Sequence, residues 1–218
     1  MHIKRKTIQN FWPVRRKGTK YLAVSTHNKK NSIPLIVVMR DILHLVKTKK
    51  ELKKVLSEKK IFINHKEIRD THYPVGIFDV ISIPLMKKHF RVLLNKSKRF
   101  AFEEIAERDS EKKVFKIIGK TTLKGNLLQI NLLEGRNLVI KEVAHTDDSI
   151  LFNLKKNQVE KIIKMEPGKK AFVTQGKHMG KNGKIENIVE RGGKKLAKIT
   201  TDDHKNINVW IKNIMVSE

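Results

Sequence analysis

The chain has 218 residues and no cysteine, and its 48 lysines and arginines outnumber 22 aspartates and glutamates, for a formal charge of +26. Without cysteine there is no disulfide scaffold, cysteine-ligated zinc, iron–sulfur cluster or thiol catalysis, and that usage suits a reducing cytosol. So large an excess of one sign would repel itself at neutral pH unless a polyanion neutralised it, which turns the partner question toward nucleic acid.

The longest apolar run, Leu35–Met39, falls far short of the ~18–20 residues a membrane helix needs. The leader Met1-His2-Ile3-Lys4-Arg5-Lys6 has no apolar stretch behind it, and the end Met215-Val216-Ser217-Glu218 carries no prenylation cysteine. A soluble intracellular protein without a membrane partner is expected.

The charge is unevenly placed. Residues 1–32 hold Lys4, Arg5, Lys6, Arg15, Arg16, Lys17, Lys20, Lys29 and Lys30, and the first acidic residue is Asp41. With little apolar periodicity to oppose that repulsion, residues 1–32 read as a basic extension. Two readings stand: an arm that orders only against phosphates, or a solvated tail. Phe11-Trp12-Pro13 interrupts it, with aromatics that either stack on bases or dock on the folded body.

From Ser32 the pattern turns helical. Ser32 stands as a cap with Pro34 in the first turn, and Leu35, Val38, Met39, Ile42, Leu45 and Val46 recur at helical spacing. Thr48 with Glu51 forms a capping-box pattern for a second helix. Leu52, Val55 and Leu56 share one face of it, and Lys49, Lys50, Lys53 and Lys54 take the others. Ile61-Phe62-Ile63 and Lys66-Glu67-Ile68 read as strands joined by a tight Asn64-His65 turn. Further strands are expected at Val80–Ile83, Phe90–Leu94, Arg99–Ile105, Val114–Ile118, Leu127–Leu132, Asn137–Lys141, Ser149–Leu154 and Lys161–Met165, with a turn over 95–98. So many short strands suggest a small barrel or a strongly twisted sheet. Pro167-Gly168 punctuates the chain before a last β-rich unit.

Enzyme motifs fail on inspection. Gly119-Lys120-Thr121 mimics the end of a phosphate loop, but position 114 is Val where the loop needs glycine. No His-Glu-x-x-His pair and no Gly-x-Ser-x-Gly elbow occur. His145-Thr146-Asp147-Asp148 reads as a polar turn rather than a metal site. No catalytic residue, metal ligand, cofactor or small-molecule substrate is expected.

Two stretches carry specific signals. Thr48–Ile83 resembles the S4-type RNA-binding domain, a compact module of two helices and short strands that also occurs fused to RNA-modifying enzymes. Val173-Thr174-Gln175-Gly176-Lys177-His178-Met179-Gly180-Lys181-Asn182-Gly183-Lys184-Ile185 resembles a KOW motif, a strand–loop–strand element of small barrels. Its glycines let backbones approach closely, and its lysines offer phosphate contacts. In this order, with a β-rich segment between, the two modules are similar to the archaeal and eukaryotic small-subunit ribosomal protein family S4e. The most specific stretches of that resemblance are Ser32–Leu43 and the run from Arg69 through Ile83, with supporting matches at Phe90–Leu93, Lys120–Gly125, Gly135-Arg136-Asn137 and the KOW segment.

That resemblance implies an α+β protein: a basic extension (1–32), an S4-type RNA-binding domain (33–85), a central β domain (86–166) and a C-terminal KOW, SH3-like barrel (167–218). It implies a non-enzymatic, structural rRNA-binding constituent of the small subunit. Its expected partners are small-subunit rRNA and neighbouring small-subunit ribosomal proteins, without homo-oligomerisation, in the cytoplasm on the ribosome. Expected RNA contacts are Arg5, Arg15, Arg16 and Lys17 in the arm, and Arg40, Lys47, Lys49, Lys50, Lys53 and Lys54 on the helices. Lys66 and Arg69 are expected beside them, with Lys177, His178, Lys181 and Lys184 in the KOW loop. Two other classes stay open at this point: a KOW-bearing factor that visits RNA transiently, and an RNA-modifying enzyme, which would need a catalytic motif not visible here.

Overall fold

The computed structural model describes residues 2–29, 31–95, 97–125, 127–202 and 205–217; Lys30 of the basic run and Lys96 of the expected turn lie outside the described residues. Contacts divide the chain into two compact units, Met1–Glu111 and Lys112–Glu218. Among the described residues no helix is long and apolar enough to cross a membrane.

The first unit opens with an antiparallel pair, β1 (His2–Lys4) on β2 (Tyr21–Ala23), with Ile3 opposite Leu22. Arg5 ties the intervening loop. Its guanidinium donates to the Thr19 carbonyl (2.7 Å), the Arg15 carbonyl (2.5 Å) and Thr19 Oγ1 (3.0 Å). Trp12 is buried, its indole N–H donating to the Ser32 carbonyl at 3.2 Å, and Phe11 packs on Phe100 with centroids 4.8 Å apart. The basic segment is therefore folded onto its unit where an arm ordered only by phosphates or a solvated tail was expected, and of the two fates for Phe11 and Trp12 it is docking that occurs. A few apolar side chains suffice: Trp12, Leu22 and Val24 are too irregularly spaced to show a period, yet all three are buried.

β3 (Ile33–Pro34) leads into α1 (Leu35–Val37), which passes into a π-helical turn over Val38–Ile42; the Leu43 amide donates five residues back to the Val38 carbonyl at 2.9 Å. The helix expected to reach Val46 is thus cut short, and His44 sits beyond it at φ +53°. Nor does Ser32 cap it: its hydroxyl donates to the Asn28 carbonyl (2.7 Å), and Pro34 holds the cap position. Every side chain from Ile33 to Met39 is buried. With no solvent face, packing from all sides rather than an amphipathic stripe dictates the backbone here.

α2 (Lys49–Ser57) forms as its sequence predicts. Thr48 Oγ1 accepts the Glu51 amide at 3.2 Å, and the Glu51 carboxylate accepts the Lys47 amide at 2.8 Å, a capping box whose return contact falls one residue before the cap. Leu52 and Leu56 are fully buried, each contributing roughly 1.5–3 kcal/mol. The remaining strands are β4 (Phe62–Ile63), β5 (Lys66–Glu67), β6 (Pro74–Val75), β7 (Val80–Ile83), β8 (Lys88–Leu94) and β9 (Phe100–Ile105). They form an antiparallel sheet in the order β5-β4-β7-β8-β9, while β6 pairs with β3. The β4–β5 hairpin turns through Asn64 (φ +50°) and His65 (φ +58°), the doubly left-handed geometry of a tight two-residue turn. α3 (Glu107–Ser110) closes the unit.

In the second unit β10 (Lys112–Leu123), β11 (Leu127–Leu132), β12 (Asn137–Ile140), β13 (Ser149–Asn153) and β14 (Gln158–Ile163) form one antiparallel sheet, ordered β12-β11-β10-β13-β14. Phe115, Ile117, Ile130, Leu132, Ile150 and Phe152 are its core. Gly119-Lys120-Thr121 lies within β10. A second antiparallel sheet follows: β15 (Lys170–Val173), β16 (Asn182–Arg191), β17 (Lys194–Thr201), β18 (Asn206–Trp210) and β19 (Ile214–Ser217), ordered β18-β17-β16-β15-β19. Ala171, Val173, Ile185, Ala197, Ile199, Ile207, Val209, Ile214 and Val216 turn to one core, the inward–outward alternation of a small barrel.

One buried cation joins these two sheets. Lys116 of β10 is 3% exposed, donates to the carbonyls of Ile211 (2.5 Å) and Ile214 (2.8 Å), and pairs with Asp147 at 3.1 Å. Burial holds its pKa below the usual 10.5, against the pull of Asp147. The His145–Asp148 segment is a turn: Asp148 accepts the amides of His145 and Met165, and Asp147 reaches φ +76°. Altogether this is an α+β protein, rich in strands and poor in helix.

Candidate nucleic-acid interface

Three surfaces gather the cations. On the first unit, α2 presents Lys50, Lys53 and Lys54 to solvent, because Leu52 and Leu56 fix which side of the helix faces inward. Lys47 is exposed just before the cap. α2 carries no aromatic side chain.

The second surface is a groove of about 920 Å³ in the same unit. The β1–β2 pair and its loop supply Arg5, Arg15, Lys17 and Tyr21, and α1 with the turn after it supplies Arg40, Asp41 and His44. Lys49 and His72 complete it. Five sequence-predicted contacts, Arg5, Arg15, Lys17, Arg40 and Lys49, thus converge from segments far apart in the chain. Arg16, Lys66 and Arg69 are exposed but do not line the groove.

The groove's charges are held in place. Arg5 uses its donors to fix the loop that carries Arg15 and Lys17. Arg40 and Asp41 form a bidentate pair (2.8 and 2.9 Å), which raises the guanidinium's pKa further, so Asp41 subtracts from Arg40 and leaves the other cations uncancelled. Lys49 Nζ lies 2.8 Å from His72 Nε2, and His72 Nδ1 lies 2.9 Å from the Val24 carbonyl. The His72 ring thus bridges the Lys49 ammonium and the Val24 carbonyl and fixes the position of Lys49 at the groove. Asp70 anchors this ring: against the burial that opposes ionisation, the Thr26 hydroxyl (2.5 Å) and the His72 amide (2.8 Å) hold its pKa below the ordinary aspartate value.

The third surface belongs to the second unit. Between β15 and β16 the loop 174–181 folds on itself, with Gly180 N–H donating to the Val173 carbonyl and Met179 N–H to Gly176. Lys177 and Lys184 are exposed, and His178 and Lys181 are half-buried. Gly183 is compelled by packing: a Cβ there would stand 2.3 Å from the Thr200 carbonyl oxygen. Lys184 sits directly opposite Lys170 across the β15–β16 pair. Two like charges at that spacing destabilise the sheet until an anion lies between them. Lys170 escaped the sequence reading because only the register puts it beside Lys184. His72 and Tyr21 were missed for a similar reason, since they join the groove through folding of a segment with no periodic signal. Lys113 and Lys116 carry charge but are buried, the former against Glu134, and contribute nothing to an exposed surface.

Known proteins match this chain. The profile of ribosomal family S4e matches residues 86–159. The small ribosomal subunit protein eS4 of Methanosphaera stadtmanae is 38% identical over 190 residues, covering 86% of this chain and 79% of the relative. That of Methanocella arvoryzae is 33% identical over 190 residues, covering 86% and 80%. The crystal structure of the 30S ribosomal protein S4e from Thermoplasma acidophilum superposes with a TM-score of 0.73 at 24% identity, over 86% of this chain and 95% of that one, and shares its fold.

Proposed function

The chain belongs to ribosomal family S4e, a family of structural proteins and not of enzymes, and from that premise we propose that it is a constituent of the small ribosomal subunit that binds and stabilises rRNA during assembly and translation. The observation that carries this reading is the convergence of Arg15, Lys17 and Lys49 on one groove beside the lysines of α2. Cations brought together without matching acids displace the counterions around closely packed phosphates, and folded modules then discriminate RNA by shape. The contacts are Arg15, Arg16, Lys17, Arg40, Lys47, Lys49, Lys50, Lys53, Lys54, Lys66 and Arg69 on the first unit, with Arg5 acting from behind. On the second unit they are Lys170, Lys177, His178, Lys181 and Lys184.

Within this reading the recognition surfaces are carried by the two units, Met1–Glu111 and Lys112–Glu218. Partners are small-subunit rRNA and neighbouring small-subunit proteins; the protein works as one copy per subunit, in the cytoplasm, without membrane, metal or cofactor. Gradient sedimentation of cell extract at moderate salt tests the reading. The protein should travel with the small subunit in near-equal amount. Recovery mainly from the free fractions would overturn it in favour of a factor that visits RNA transiently.

A further inference from the structure

We propose that the groove of the first unit seats an unpaired nucleotide of RNA, its base against Tyr21 and its phosphate against Arg15 and Lys17. The inference rests on the RNA-binding reading above and adds which form of RNA this site takes. α2 and the groove differ chemically. α2 offers lysines and no aromatic side chain, so it follows the backbone of a helix without regard to its bases. The groove offers cations together with an aromatic face: Tyr21 is 45% exposed at its wall, with His2 packed edge-on at 4.6 Å. A tyrosine exposed in a basic concavity is the combination by which proteins hold single-stranded nucleic acid, bases stacked on π-faces and phosphates drawn along the charge. A regular duplex has its bases already stacked and cannot offer one to a groove wall.

The rim is prepared for such a guest. Arg5 fixes the Arg15 and Thr19 carbonyls, so the loop bearing Arg15 and Lys17 is set before RNA arrives. Lys20 lies over the Tyr21 ring, 5.4 Å from its centroid, so a base stacking on that face displaces the ammonium toward the incoming phosphate. Arg40 is restrained by Asp41 at the opposite wall, which keeps it from collapsing into the space. A groove of about 920 Å³ has room for a nucleotide and its flanking phosphates.

Fluorescence anisotropy with the full-length chain tests this, using a labelled ten-nucleotide single-stranded RNA and a labelled hairpin duplex at the same salt. Tyr21→Ala should weaken single-strand binding about tenfold, from the loss of one stacked base, and leave the duplex affinity within about twofold. Tyr21→Phe, which keeps the ring, should restore it and shows that the pair of strands still folds. Lys50→Ala/Lys53→Ala/Lys54→Ala should show the opposite selectivity. Adenosine monophosphate should compete only at millimolar concentration; displacement at micromolar concentration would mean a free-nucleotide site and overturn the proposal. Equal losses for both RNAs on Tyr21→Ala, or none, would also overturn it. If the wild-type chain bound neither RNA, the function proposed above would fall instead.

Discussion

Replacing Gly183 by alanine puts one methyl group where the barrel has no space. The added Cβ would lie 2.3 Å from the Thr200 carbonyl oxygen and 2.7 Å from Ile199 Cγ2. Ordinary contacts of carbon begin near ~3.5 Å, so β16 and β17 would have to part by about 1 Å. Ile199 can turn aside, but the Thr200 carbonyl is backbone, held in register opposite Lys184. Overpacking costs roughly 1–3 kcal/mol, and a backbone clash belongs at the upper end, about 3 kcal/mol. For a unit of roughly 100 residues that lowers Tm by about 12–24 °C. Circular dichroism on heating measures it. Gly119→Ala is the control, because the nearest atom to its Cβ is Asn131 Nδ2 at 3.6 Å, an ordinary contact. A Gly183→Ala protein melting within about 3 °C of wild type would refute the argument that packing compels this glycine.

Four further outcomes are expected. Lys116→Met removes the donor that two buried carbonyls share and leaves Asp147 unpaired; urea unfolding should show a loss of roughly 2–4 kcal/mol. The same variant tests a pH effect: the native pKa of Lys116 is depressed below its unfolded value near 10.5, so in the window between the two the unfolded chain binds more protons. Lys116's contribution to stability therefore rises with pH there, and the wild type should show an upward slope that Lys116→Met lacks. Thr48→Ala should cost about 1 kcal/mol and speed exchange of the Glu51 amide in hydrogen-exchange measurements. Removing Lys50, Lys53 and Lys54 together should reduce the log–log salt slope of duplex RNA binding by roughly 2–3, about 0.7–0.9 for each phosphate released; an unchanged slope would mean that α2 does not touch phosphates.

How far the sequence foretells this structure depends on whether the deciding contact is local. α2 could be read because Thr48, Glu51, Leu52 and Leu56 specify cap and face within nine residues. The β4–β5 hairpin could be read because Asn64 tolerates the left-handed turn it occupies. The helix at Ser32–Val46 was misjudged because every side chain from Ile33 to Met39 is buried, and a segment packed on all sides carries no periodic record of its backbone. The basic segment was misjudged because charge was plentiful and the apolar residues that fold it, Trp12, Leu22 and Val24, were few. β8 and β9 were recognised as strands, but their attachment to β7 in the first unit depends on pairing that composition does not encode. Lys116 reads as one more surface lysine; its partners at Ile211 and Ile214 lie 95 and 98 residues away. The cations of the site were legible as a class, while their grouping into a groove, a helix face and a barrel loop required the fold.

The central claim is that this charge is spent on rRNA within the small subunit. A density map of the native small subunit at side-chain resolution tests it most directly. The account predicts one copy of the chain, with α2, the groove and the β15–β16 loop each against RNA phosphates. A map in which the chain is absent, or in which those three surfaces face solvent, would contradict it.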